Sequence, residues 1–142
     1  MAINGRFRVS MADVFPAGAF VVGDVEAVRD FDKSTPERFV QAKDKETSEL
    51  VWSVPVLDAD ESAPKSAKTV VVKISAPVQP VPPEAVAGLP FRPVEFDGMT
   101  VTPYVDDKRN RVAYSLRARA MRAPAKGVKA SGGPAGAEGK AA

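Results

Sequence analysis

The chain has 142 residues, 44% of them hydrophobic, which suits one ordinary domain with one core. It contains no Cys and no His, which excludes a disulfide scaffold and removes the side chains behind most zinc sites and activated nucleophile pairs. Its net charge of +2 hides a division: residues 1–107 hold 11 Lys/Arg against 17 Asp/Glu, net −6, and residues 108–142 hold 9 against 1, net +8. Such a division either brings one end to a polyanion or acidic surface, or keeps a mildly acidic domain in solution.

No apolar run approaches the roughly 18–20 residues of a membrane helix. The N-terminal MAINGRFRVSMADVFPAG lacks the basic-then-apolar build of a secretory signal. A cytoplasmic protein with no membrane partner is therefore expected. In chain order, Arg6–Val9 reads as a short edge strand, and SMADVFPAG as a loop or a single helical turn. AFVVGDVEAVRDFD puts Phe20 and Val22 on one face; Gly23 reads as a bulge, after which Val25 and Val28 fall out of step. RFVQAKD and LVWSVPVLD make a hairpin candidate about DKETSE, with Leu50, Trp52, Val54 and Val56 sharing a face. Pro55 has no amide hydrogen, so this strand is expected at an edge, or with the bare nitrogen toward solvent. After the linker DADESAPKSA, KTVVVKISA places Val70, Val72 and Ile74 toward the core and Lys73 on the other side.

Six prolines between Pro77 and Pro93 rule out a helix or a central strand and predict a polyproline-type surface excursion. It reads either as a spacer packed down by Val78, Val81 and Leu89, or as a docking segment for a partner's aromatic groove. VEFDGMTVTPYVDDKRNRVAYSLRARAMR then reads as two strands around DDKRN. On the first, Met99, Val101, Pro103 and Val105 alternate with Thr100, Thr102 and Tyr104; on the second, Val112, Tyr114, Leu116 and Ala118 alternate with Ala113, Ser115, Arg117 and Arg119. Residues 1–122 form the expected single β domain. Residues 123–142, rich in Gly and Ala and without periodicity, form an expected disordered basic tail. The fold class is mostly β, a small twisted β-barrel or sandwich, with an OB-like barrel as the first choice.

No catalytic, metal or cofactor site is expected. Asp30, Asp32, Asp58, Asp60, Glu61, Asp106 and Asp107 all lie between apolar segments, where short acidic residues form turns; a metal-dependent enzyme built from them is the third reading. The last hairpin suggests different chemistry. Lys108, Arg109 and Arg111 at its turn, and Arg117, Arg119 and Arg122 beyond, make a basic ridge suited to phosphate oxygens, with Lys73 as a further cation. Tyr104 lies on the outer face with Thr100 and Thr102 and can stack a base. Trp52 and Tyr114, flanked by apolar residues at period two, read as core.

The runs GRFRV, VFPAGAF followed by VVGDVEAVRDFD, VWSVPVLDAD, TVVVKISAPVQPVPP, LPFRPVEFDGMTVTPYVDD and RVAYSLRARAMRAP carry a resemblance over roughly residues 3–124. The chain resembles the plasmid replication, integration and excision activator proteins of actinomycete integrative and conjugative elements. The resemblance implies a role in switching an integrated element to replication and excision, and it brings no catalytic motif. The leading expectation is a non-enzymatic accessory protein that binds DNA, single-stranded favoured, through the basic hairpin. No recognition helix is evident for operator reading. The alternative is an adaptor that contacts the replication initiator or excision enzymes through a sheet edge or the Pro-rich loop.

Overall fold

Short alternating segments separated by turn residues condense into strands in the computed structural model, which describes residues 5–125 apart from the side chains of 66 and 67. In chain order the elements are β1 (Phe7–Arg8), α1 (Met11–Val14), β2 (Ala19–Val21), β3 (Glu26–Ala27), β4 (Val51–Asp58), α2 (Lys65–Lys68), β5 (Thr69–Ser75), β6 (Arg92–Asp97), β7 (Thr100–Asp106), β8 (Arg111–Ala118) and β9 (Ala120–Arg122). The tail expected from residue 123 lies, from residue 126 on, outside the described residues.

The hydrogen-bonded order is β1-β7-β8-β5-β4-β2-β6-β9, with β3 also on β4. Three segments continue another after a short break: β3 follows β2 past Gly23, β7 follows β6 past Gly98, and β9 follows β8 past Arg119. Joined in this way they make five long strands in the spatial order one-two-three-five-four-one. All contacts are antiparallel except the third with the fifth, β5 with β8. The fold is mostly β, and its one sheet curls until the last long strand bonds both β5 and β6. This is the arrangement of a partly open OB-type barrel, with β1 added outside β7.

Inside the curl, Val21, Val54, Val56, Val72, Ile74 and Val94 are fully buried, with Phe15, Phe96, Met99 and Ala118 around them. Val72 and Ile74 meet Leu116 and Ala118 across the parallel seam, so the expected alternation of β5 is the observed one. The SMADV turn is α1: Ser10 Oγ accepts from the Asp13 N–H at 3.1 Å, and the Asp13 carboxylate accepts from the Ser10 N–H at 2.9 Å. The turn delivers Phe15 onto Phe96, with ring centroids 6.4 Å apart.

Three expectations are corrected. β4 is central, bonded to β5 along Val51–Leu57 and to β2 and β3 on its other flank. Pro55 is tolerated there because β2 ends at Val21 and β3 begins at Glu26. Its carbonyl accepts from the Val22 N–H at 3.1 Å, and its bare nitrogen, on the same flank, meets the break at Gly23. A Cβ on Gly23 would lie 2.8 Å from Pro55 Cγ, so this crossing requires glycine. Second, the Pro-rich excursion is present, but Val78, Val81 and Leu89 are exposed and do not pin it down. Polar contacts do so instead: Arg92 donates to the Pro83 carbonyl at 2.8 Å and Gln79 to the Val25 carbonyl at 3.4 Å. Third, DADESAPKSA is not linker alone, because its end enters the helical turn α2, which runs on to Lys68.

Candidate nucleic-acid interface

Residues directly opposite one another on adjacent strands share a face. Ser53 is registered with Lys73, Lys73 with Arg117, and Arg117 with Thr100. Lys73 and Arg117 therefore lie side by side on the outer face, one strand spacing of about 4.8 Å apart at the backbone. Period-two alternation adds Tyr104 and Arg111 to that face.

Past the barrel, β7 and β8 run on as a two-stranded ribbon, because β5 pairs only with Leu116–Ala118 of β8 and β1 only with Thr100 and Val101 of β7. Lys108 and Arg109 are exposed at the ribbon's turn. There the Asp106 carboxylate accepts from the Lys108 N–H at 3.1 Å, and Asn110 adopts a left-handed φ of 53°. Tyr104 is 51% exposed on the outer face. Tyr114, read from the sequence as core, is instead 64% exposed, because it sits opposite Pro103 on the ribbon, past the strands that cover its neighbour Leu116. Trp52 does pack against the core, and its indole N–H donates to the Ala76 carbonyl at 3.0 Å.

One end of the face is braced by Asp44, 5% exposed. It accepts from the Glu46 N–H at 2.7 Å and the Ser75 hydroxyl at 2.8 Å, and pairs with Arg117 at 3.5 Å and Arg6 at 3.6 Å. Burial pushes its carboxyl up, but hydrogen bonds from Glu46, Ser75 and Thr47 and the Arg6 charge outweigh burial and hold it below the ordinary range. Lys73 has no ion-pair partner among the described residues. Burial, and then the charge of Arg117, lower its ammonium below the usual lysine value. A half-buried cation beside another cation is a place where an arriving anion relieves both repulsion and lost solvation.

No family model, curated protein or solved structure matches this chain.

The remaining cations leave the face. Arg119 occupies the break between β8 and β9: its N–H donates to the Asp97 carbonyl at 2.8 Å, and its side-chain stem lies over Gly98. Arg122 is held by Glu95 at 2.6 Å and Asp97 at 3.1 Å, and the hydrogen bonds it donates to Asp97 and Glu95 raise its guanidinium further above the ordinary value. The structure thus brings together Lys73, Tyr104, Arg111 and Arg117, with Lys108 and Arg109 at the ribbon tip, and takes Arg119 and Arg122 out of the row of opposed residues, although both line the cleft that borders Arg117. The carboxylates act in turns: Asp30 accepts from the Asp32 N–H at 3.0 Å, and Asp58 from the Asp60 N–H at 2.9 Å.

RFVQAKD, read from the sequence as the first strand of a hairpin, belongs instead to a loop between β3 and β4 that makes only isolated bridges, among them Arg29 with Gln41 and Lys43 with Leu50. There the Arg29 guanidinium lies 5.4 Å from the Phe39 ring centroid, and Phe31 is largely exposed at its neighbouring turn. Aromatics flanked by charges in RDFDKSTPERFV were the available signal. Among the described residues no helix is long and apolar enough to cross a membrane.

Proposed function

We propose that this protein is a non-enzymatic accessory protein of a mobile genetic element, which binds single-stranded DNA on the outer face of its barrel and so promotes replication or excision of that element. The observation that carries the reading is the unpartnered Lys73 lodged beside Arg117 on the outer face of an OB-type sheet. Oligonucleotides bind OB barrels over strands two and three and at the loops after strands one and four. Here those strands are β4 and β5, and the loops carry Phe31 and Phe39, and Lys108 and Arg109. The cations supply phosphate donors and release counterions; Tyr104 offers a stacking platform worth about 1–3 kcal/mol per base. The resemblance in the sequence supports the mobile-element setting.

Salt-titrated binding of labelled single-stranded and duplex oligonucleotides tests this. Log affinity for the single strand falls linearly with log salt, and the duplex binds more weakly. Lys73→Ala with Arg111→Ala makes the slope shallower by about 1.4, at about 0.7 per phosphate contact. Arg117 is left in place because it also braces Asp44. Failure to bind a single strand even at low salt refutes the reading.

A second reading, an adaptor for the replication initiator or an excision enzyme, is favoured by exposed apolar residues. Val105, Val112 and Tyr114 line one side of the ribbon. Beside them opens an apolar cleft of about 680 Å³ that includes Val14, Phe15, Val70 and Leu116.

A further inference from the structure

The line of opposed residues does not stop at Thr100. Arg8 of β1 is registered with Thr100, and Glu26 of β3 with Ser53. One row across six strands therefore reads Glu26, Ser53, Lys73, Arg117, Thr100, Arg8. We infer that this row is the path of the bound strand, whose phosphates cross at right angles to the β-strands from Lys73 over Arg117 to Arg8 and leave over β1, away from β3. The inference rests on the single-stranded DNA reading and gives it a direction and an N-terminal contact.

Four observations converge on it. The cations are spaced for successive contacts, with Arg117 one strand from Lys73 and two from Arg8, about 5 and 10 Å at the backbone. Arg8 is exposed and has no ion-pair partner among the described residues, so its charge is available. At the opposite end the exposed carboxylate of Glu26 repels a phosphodiester. Finally, Arg8 and Arg117 border one open cleft of about 890 Å³, together with Arg6 and Arg119. Its acids are largely engaged: Asp44 and Glu46 by Arg6 at 3.6 and 3.2 Å, and Asp97 by Arg122 at 3.1 Å, leaving Glu49 on the rim. A phosphate entering there meets uncompensated guanidinium charge from Arg8 and Arg119.

The test is a salt titration of the full chain with a short oligothymidylate. Arg8→Ala is expected to weaken binding several-fold at low salt and to flatten the slope by about 0.7, and Arg8→Lys to restore the slope. Glu26→Gln is expected to change affinity less than about twofold, since the electrostatic effect of a distant exposed charge is screened. Parent behaviour in Arg8→Ala, or a large tightening in Glu26→Gln, overturns the path while loss of binding in Lys73→Ala still upholds the DNA reading. Parent behaviour in Lys73→Ala as well sinks that reading too. Photo-crosslinking of the parent protein with a thiothymidine oligonucleotide needs no variant: adducts are expected on residues 6–9, and adducts confined to residues 24–27 overturn the path.

Discussion

Asp44 is a buried polar side chain on which both the fold and the proposed interface lean, and replacing it gives a sharp test of the structure. Two of its hydrogen bonds are short, from the Glu46 N–H at 2.7 Å and the Ser75 hydroxyl at 2.8 Å. Hydrogen bonds to a charged group are worth about 1.5–3 kcal/mol each. The pairs with Arg117 and Arg6, at 3.5 and 3.6 Å and partly open to solvent, add at most about 1 kcal/mol together. Asp44→Ala also leaves the buried Ser75 hydroxyl without its acceptor, so we expect a loss of about 3–5 kcal/mol. Asp44→Asn keeps an oxygen for the Glu46 and Thr47 N–H groups and should lose about half as much. Urea unfolding followed by Trp52 fluorescence measures both. Because the folded-state pKa of Asp44 lies below its unfolded value of about 3.9, its contribution is fully present above about pH 5 and disappears as the pH falls through the folded value. The gap between the parent and Asp44→Asn should therefore close on acidification. A stability of Asp44→Ala within about 0.5 kcal/mol of the parent, or a gap that widens toward low pH, refutes the reasoning.

Ile74→Ala should cost about 2–5 kcal/mol and Val72→Ala somewhat less, since both are fully buried, whereas Lys73→Ala should cost under about 1 kcal/mol. Equal losses at all three in denaturant unfolding would mean that β5 is buried on both faces. Gly98→Ala should lower the thermal midpoint, because Gly98 has a left-handed φ of 63° and a Cβ there would lie 2.9 Å from Arg119 Cδ. Adding Arg119→Ala should recover only the steric part, and full recovery would show that the backbone conformation is not strained.

The barrel was largely legible because its core strands alternate: Val70, Val72 and Ile74 announce β5, and SMADV carries the residues of a capping box. Alternation does not mark where a sheet outruns its core, so Tyr114 looked identical to Leu116, although only Leu116 lies under a neighbouring strand. Pro55 argued for an edge because its tolerance depends on a gap more than thirty residues earlier in the chain, at Gly23. Of the site, the outward Lys73, Tyr104 and Arg117 followed from the same alternation, whereas Arg111 was read only as part of the turn. The role of Asp44 did not, since DKETSE reads as a turn and its ion partners, Arg6 and Arg117, are remote in sequence. Arg119 followed the alternation on paper, but the break between β8 and β9 takes it off the face.

The parallel seam between β5 and β8 also sets the order of events in time. β5 can pair with β4 as soon as residues 51–75 exist, but its other flank waits until residues 111–118 are available. Closure over that separation is slow compared with hairpin formation. Meanwhile TVVVKIS, strongly β-prone and carrying one charge, offers an open edge to any other chain in the same state. Lys73 interrupts that run. The ammonium that lies beside Arg117 on the outer face of the finished barrel therefore also guards the unfinished one, and neutral variants at this position should lose soluble yield on refolding even where the folded protein is just as stable.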